Sequence, residues 1–381
     1  TRSDQYLDYL ERELALAAPL FDAAREVQQL HLGGGTPNFL DIPRMHRLME
    51  SLARHFHFAA PAEREFGIEI DPRFADADYV RALGGFGFNR ISVGIQDFDP
   101  VVQAAVNRIQ SEAETRAVLD SARAAGFRSA SVDLIYGLPL QSPAGFARTL
   151  DEVVALAPDR VAVYGYAHLP AMFKPQTQIR AEDLPDPATR LELLRLAIDR
   201  LGAAGYLYVG MDHFARADDE LVRAQRSGGL QRNFQGYSTH GDCDIVGLGV
   251  SAIGRNADTY SQNPRDLPGY YIALDHGQLP VARGLRLSRD DLVRRDAIGE
   301  LMCHGNLDTV AFGTRHGLAF DEYFADALDR LATLAADGLV VVDERAIRVT
   351  PRGRFLLRSI AMCFDSYLDT GSAEVRYSRT I

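Results

Sequence analysis

From Thr1 to about Pro170, apolar runs repeatedly break at a glycine or polar residue and then give way to a helical pattern. Gln29 to Leu32 leads into Gly33-Gly34-Gly35, and Phe66 to Asp71 carries Glu69. Arg90 to Gln96 ends on its glutamine, Ala130 to Tyr136 carries Asp133, and Val161 to Tyr166 precedes Ala167. The marks Gly34, Glu69, Gln96, Asp133 and Ala167 recur at the spacing of a βαβ unit. Helical segments fill the gaps. Leu7, Leu10 and Leu14 share one face, as do Met45, Leu48, Met49 and Leu52, and Tyr79 to Leu83 reads as a third helix. Ser111 with Glu114 forms a capping box for a helix running to about Ala125, and Ser142-Pro143 starts another that ends near Leu156. Strands alternating with helices imply right-handed βαβ units and a parallel sheet. Five such strands are too few to close an eight-stranded barrel. The expected fold class is α/β, a partial (open) parallel β/α barrel with a strand lost upstream.

After Asp186-Pro187 a Leu-rich helix runs to about Ala204, followed by a strand over Tyr206 to Met211. Asp212 to Gly254 is rich in Gly, Asn, Gln and His, a loop-heavy stretch of the kind that completes an active site. From Pro264 helices dominate, over Asp291 to Cys303 and Phe324 to Ala336. Leu339 to Val342 and Ile347 to Val349 read as a hairpin and Pro351 to Cys363 as a closing helix, a winged-helix-like module. Two regions follow: 1–263, the partial barrel with its active-site extension, and 264–381, mainly helical.

The net charge is −11 with no basic stripe, which argues against nucleic acid as a partner. No run approaches the roughly 20 apolar residues of a membrane helix, and no signal peptide opens the chain. A cytoplasmic protein with no membrane partner is expected. Lys174 is the sole lysine, which weighs against Schiff-base chemistry. Cys243, Cys303 and Cys363 are widely separated and odd in number, so they form neither a disulfide framework nor a short metal motif. Cys303 and Cys363 sit in apolar helical runs and read as buried thiols.

The polar marks carry the chemistry. In Gly67-Ile68-Glu69-Ile70-Asp71 the alternation puts Glu69 and Asp71 opposite Ile68 and Ile70. Gln96 and Asp133 interrupt apolar runs in the same way. An ionised carboxylate within a barrel strand is costly unless paired. Each feature alone has a plain structural meaning: a glycine triplet as a tight turn or phosphate cradle, Glu69 as half of a salt bridge. Shared by four consecutive strands, they point to one mouth at the carboxyl ends, where barrel enzymes place their sites. Such acids suit a ligand with cationic groups and ribose hydroxyls, and S-adenosylmethionine (SAM) has both.

Gly33-Gly34-Gly35-Thr36-Pro37 resembles the GGGTP motif of radical SAM enzymes. Ile68 to Pro72, Gly94 to Phe98, Asn107-Arg108, Asp133 to Pro139, Tyr166 to Pro170, Met211 to Ala215, Arg232 to Tyr237, Gly247 to Ile253 and Cys363 to Leu368 all resemble segments of the oxygen-independent coproporphyrinogen oxidases. The resemblance covers essentially the whole chain. It implies a barrel of the radical SAM type and two SAM molecules per chain. Gly34, Glu69 and Ile253 would contact the cluster-bound SAM; Gly35, Thr36, Gln96, Arg108, Asp133 and Ala167 would contact the second. It also implies a 4Fe–4S cluster on a CxxxCxxC loop, and this chain has no such motif. The first strand and cluster loop are therefore expected to be missing, the cluster ligands to lie outside this chain, and the chain alone to be inactive. The intact protein would convert coproporphyrinogen III to protoporphyrinogen IX in haem biosynthesis, with an electron donor and an electron acceptor of unknown identity. Arg216, Arg226 and Arg232 are candidates for holding the tetra-anionic substrate; catalytic residues are unassigned. The alternatives are a haem-binding chaperone of the same superfamily without oxidase activity, and a metal-independent barrel enzyme using Gly33 to Thr36 as a phosphate cradle.

Overall fold

A computed structural model describes residues 1–241 and 243–368. The five expected strands form β1 (Gln29–Leu32), β2 (Glu65–Ile70), β3 (Arg90–Gln96), β4 (Ser129–Tyr136) and β5 (Arg160–Gly165). They are neighbours in that order and all parallel. Between and around them run α1 (Arg2–Ala17), α2 (Ile42–His55), α3 (Ala77–Gly85), α4 (Pro100–Ala105), α5 (Glu112–Ala124), α6 (Pro143–Leu156) and α7 (Pro187–Ala203). The predicted caps are in place: Ser111 and Glu114 form a full capping box, and Ser142 and Asp186 accept backbone N–H bonds with proline following. Strand alternation sorts the two sheet faces. Phe66, Ile68, Ile91, Val93, Val132, Leu134, Val161 and Val163 are buried in one core with Leu48, Leu83, Leu119, Leu150 and Leu193 of the helices. The intervening residues, from Glu65 and Gly67 to Ser131 and Asp133, point to the other face.

The sheet has seven strands rather than five. β6 (Tyr206–Gly210) and β7 (His213–Arg216) add a hairpin, and the strand order is β1-β2-β3-β4-β5-β7-β6. β7 runs antiparallel to β5, with Ala162 opposite His213, so the sheet is mixed and its edges are β1 and β6. The four residues of β7 have no alternation long enough to mark a strand in a polar stretch. Asp71 lies outside β2 and caps the turn Pro72–Phe74. The closing helix expected from Pro351 is broken into a turn, Gly353–Leu356, and a short helix, Leu357–Met362. A Cβ on Gly353 would collide with the Leu339 carbonyl oxygen, so this close approach fixes the break.

β8 (Gln231–Asn233) and β9 (Gly236–Ser238) form a hairpin after α8 (Glu220–Ser227). β10 (Ile253–Asn256), β11 (Thr259–Gln262) and β12 (Arg283–Arg286) form a three-stranded sheet that spans residue 263, with α9 (Leu267–Asp275) between its last two strands. The segment up to Arg286 thus pairs with the first region. Beyond it, α10 (Arg289–His304), β13 (Asn306–Asp308), α11 (Thr309–His316), α12 (Phe320–Tyr323), α13 (Ala325–Ala336), the hairpin β14 (Val340–Val342) and β15 (Ala346–Val349), and α14 (Leu357–Met362) surround a second core of Leu301, Leu307, Phe312, Phe324, Leu331, Ile347 and Phe364. Residues 369–381 of the second region lie outside the described residues. Among the described residues no helix is long and apolar enough to cross a membrane.

Glu13 ties the 249–270 segment to α1. Its buried carboxylate accepts the Gly249 N–H at 2.7 Å, the Asn263 amide at 2.7 Å and the Tyr270 hydroxyl at 2.6 Å. Burial raises its pKa in spite of these three donors. Glu13→Ala leaves the Gly249 N–H and the Tyr270 hydroxyl without their partner, while the Asn263 amide keeps its bond to the Gly249 carbonyl, and should cost roughly 3 kcal/mol of stability, read by urea unfolding. Glu13→Gln, which keeps the shape, should cost distinctly less.

Candidate functional site

The polar sheet face is built in layers. At the amino ends of the strands, Arg90 pairs with Glu65 at 2.9 Å and Glu220 at 2.6 Å, and Arg160 pairs with Asp219 and Glu220, both at 2.8 Å. Two half-buried guanidiniums are thus neutralised by three acids and close the floor. One step toward the carboxyl ends the side chains are small: Gly67, Ser92, Ser131 and Ala162. Small side chains there leave a cavity of about 430 Å³, roofed in part by Ile245, Val246 and Leu248. The Glu13 clamp holds that roof at Gly249.

Glu69 and Asp133 stand in this cavity, on β2 and β4. The Glu69 carboxylate lies 3.2 Å from His31 Nε2 and accepts the Gly34 N–H at 3.2 Å. Burial alone would raise its pKa; the bond to His31, its charge and the Gly34 N–H outweigh this and hold it low. Ser92 donates to Asp133 at 3.0 Å. Burial pushes the Asp133 carboxyl up to about 6, against the bond from Ser92; the Glu69 charge adds to the rise, while His31 and Arg108 oppose it. The Tyr164 phenol, raised first by burial, also feels Asp133, Asp212 and Glu69. These groups share one electrostatic environment.

Gln96 and Arg108 form a neighbouring group. Gln96 adopts a φ of 68° at a bulge that breaks the register between β3 and β4. Arg108 donates to the Gly94 carbonyl at 2.9 Å and lies 3.3 Å from Asp71, while its Nε is buried without a partner. Asp71, which Arg73 also grips at 2.7 Å, exchanges backbone hydrogen bonds with the Asn38 amide, so the Gly33–Asn38 loop is pinned to the end of β2. Within that loop Gly34 has a φ of 83°, and no atom lies within 4 Å of where a Cβ on Gly34 or Gly35 would sit. Thr36 precedes the turn Pro37–Phe39.

Of the sequence candidates, Gly34, Glu69 and Asp133 come together directly, and Gln96 and Arg108 join them through Gly94. Glu69 and Asp133 line the cavity; Gly34, Gly35, Thr36, Gln96, Arg108, Ala167 and Ile253 do not. The Ala167 carbonyl accepts from Gln176 at 3.0 Å, and the Ile253 backbone packs against Gly247, where a Cβ would lie 2.5 Å away. Arg216 and Arg226 are exposed; Arg216 lies at the amino end of β5, where its N–H bonds Asp159, far from the mouth. Arg232 is half-buried, 5.5 Å over the Tyr237 ring, with its Nε unpartnered. Sequence reasoning missed His31, Tyr164 and His213. Alternation along β1 and β5 marks the first two. His213 is carried by the unrecognised β7; its buried Nδ1 has no partner, and burial, with Arg232 and Arg160, lowers its pKa to about 4, so it is neutral at pH 7.

Residues 2–153 match the radical SAM superfamily and residues 287–356 match the HemN C-terminal domain. The oxygen-independent coproporphyrinogen III oxidases of Pseudomonas aeruginosa and Escherichia coli are each 50% identical over 380 residues, covering 100% of this chain and 82% of theirs. The solved structure of coproporphyrinogen III oxidase from Escherichia coli, described as a radical SAM enzyme, superposes with a TM-score of 0.93 at 50% identity over 96% of this chain and 84% of that one. On identity of this extent, joined to the placement of Gly34, Glu69 and Asp133, the chain belongs to the oxygen-independent coproporphyrinogen III oxidase family of radical SAM enzymes.

Proposed function

We propose that the protein to which this chain belongs converts coproporphyrinogen III to protoporphyrinogen IX without oxygen, turning two propionates into vinyl groups, as a step of haem biosynthesis. The observation that carries this reading is that Glu69, which accepts the Gly34 N–H, and Asp133 line one cavity in a chain half identical to the named oxidases. Each turnover of a propionate removes one hydrogen atom from its β-carbon, then carbon dioxide and one electron, which passes to an acceptor outside this chain.

The residues present fit SAM. Glu69 and Asp133 are acceptors for an ammonium group and ribose hydroxyls, and Arg108 offers an unpartnered buried Nε to a carboxylate. Gly34 and Gly35 leave their backbone open to a ligand. We assign Gly34 and Glu69, with Ile253 supporting the roof, to one SAM, and Gly35, Thr36, Gln96, Arg108, Asp133 and Ala167 to a second. When bound and reductively cleaved, SAM supplies the 5′-deoxyadenosyl radical that takes the hydrogen atom. This chain's residues orient the two ligands and exclude water from the hollow between β2, β3 and β4. They do not fit a 4Fe–4S cluster. Cys303 and Cys363 are buried, burial pushes the Cys303 thiol up to about 12, and among the described residues no group of three His, Cys, Asp or Glu side chains is placed to hold a metal ion.

The reading is tested by anaerobic incubation of the cluster-containing protein with SAM, a reductant and coproporphyrinogen III. Protoporphyrinogen IX and carbon dioxide are expected; stable haem binding with no product would select the chaperone instead. This chain, incubated with iron and sulfide, should bind SAM yet develop no 4Fe–4S absorbance. Glu69→Gln should weaken SAM binding by about 1.5–3 kcal/mol through loss of a charge-assisted bond, measured by calorimetry. SAM held by ionised Asp133 requires that carboxyl to stay deprotonated. Its pKa in the free protein is raised to about 6, so affinity is full above that pH and should fall by up to about tenfold per unit below it. Asp133→Asn should flatten this profile.

A further inference from the structure

A second cavity of about 200 Å³ lies between the carboxyl ends of β4 and β5 and the C-terminal region. Arg190 of α7, Arg354 of the Gly353–Leu356 turn and Arg358 of α14 all line it. None of the three is paired with a carboxylate among the described residues, whereas Arg90, Arg108 and Arg160 are. Arg190 donates from Nη2 to the Tyr166 carbonyl at 3.1 Å, and its buried Nε has no partner. Arg354 donates to the Tyr208 carbonyl at 2.9 Å. Carbonyl contacts orient these guanidiniums without neutralising them. Asp212 is the one acid lining this cavity, so three arginines against one carboxyl leave a surplus of at least two positive charges. Burial also raises the Asp212 carboxyl to about 6, which reduces its offset further; Arg358 and Arg232 oppose that rise.

A concentrated positive hollow in a chain of net charge −11 is a receptor for an anion, and guanidinium forks match carboxylates in particular. Tyr164 is a wall common to this cavity and to the one holding Glu69 and Asp133. The smaller hollow lies below the usual range of about 300–1,000 Å³ for whole drug-sized ligands, and suits a single acidic arm. We infer that it is a carboxylate subsite in which Arg190, Arg354 and Arg358 hold one propionate of the tetrapyrrole substrate, keeping the rest of the molecule beside the Glu69–Asp133 cavity. This rests on the substrate named under the proposed function. It replaces the exposed Arg216 and Arg226 with three arginines that the fold brings together from positions 190, 354 and 358.

The test is calorimetric binding of coproporphyrinogen III under anaerobic conditions, with its tetramethyl ester and SAM as parallel ligands. Arg358→Gln and Arg190→Gln should each weaken coproporphyrinogen binding about tenfold or more, with SAM affinity unchanged. The ester should not distinguish these variants from the parent, which a merely structural defect would not reproduce. Arg226→Gln, exposed on α8, should alter none of the three affinities. Arg358 is exposed on a short helix, so its variant remains informative should Arg190→Gln fail to fold. Equal coproporphyrinogen affinity in the parent and Arg358→Gln overturns the subsite and leaves the functional reading standing. A parent that binds SAM but no coproporphyrinogen overturns the functional reading, and the subsite with it.

Discussion

The site depends on the division of one sheet into an apolar and a polar face. Phe66, Ile68, Ile91, Val93, Val132 and Leu134 commit the first face to the helices and fix the register, because a one-residue slip would exchange the faces throughout. The same constraint forces Glu69, Ser92 and Asp133 into the hollow whether or not a ligand is there. Carboxylates in such a place are tolerable only with donors beside them. Glu69 has the Gly34 N–H and His31, and Asp133 has Ser92. Asp133 keeps a raised pKa because its single short donor does not offset burial and the charge of Glu69. The two acids are thus held in different states of readiness, one firmly ionised and one poised near pH 6.

The remaining architecture steadies that hollow. The ion pairs of Arg90 and Arg160 close its floor, and the Glu13 carboxylate anchors the strand of chain that roofs it. The Tyr237 hydroxyl donates to the Met302 carbonyl, and Gln225 to the Cys303 carbonyl, so the β8–β9 hairpin and α8 lean on the C-terminal region. Arg354 reaches the Tyr208 carbonyl from the far end of the chain. The C-terminal region therefore braces elements that line the site, among them the β8–β9 hairpin and α8.

Much of this could be read from residue order. The five parallel strands, their helices and the caps at Ser111, Ser142 and Asp186 follow from local alternation, periodicity and side-chain capping, which act within a few residues. Glu69 and Asp133 are legible because a polar residue in an apolar strand is conspicuous, and Gly34 because a glycine triplet closes the strand before it. What escaped was non-local. β7 is too short to announce itself and exists because β5 offers it an edge. The break at Gly353 is set by the Leu339 carbonyl, which lies on the far side of the β14–β15 hairpin in sequence. The arginines at 190, 354 and 358 have nothing in common until the chain folds. Arg216 and Arg226 looked suitable only because they lie near the loop segment in sequence.

The central claim is that the hollow lined by Glu69 and Asp133 receives the adenosylated methionine. A crystal structure of this chain grown with SAM, with the sulfonium located by anomalous sulfur scattering, tests it most directly. The account predicts a sulfur peak inside the cavity and ligand atoms within hydrogen-bonding distance of the Glu69 carboxylate. A well-ordered SAM bound elsewhere, with the cavity holding only solvent, would contradict it.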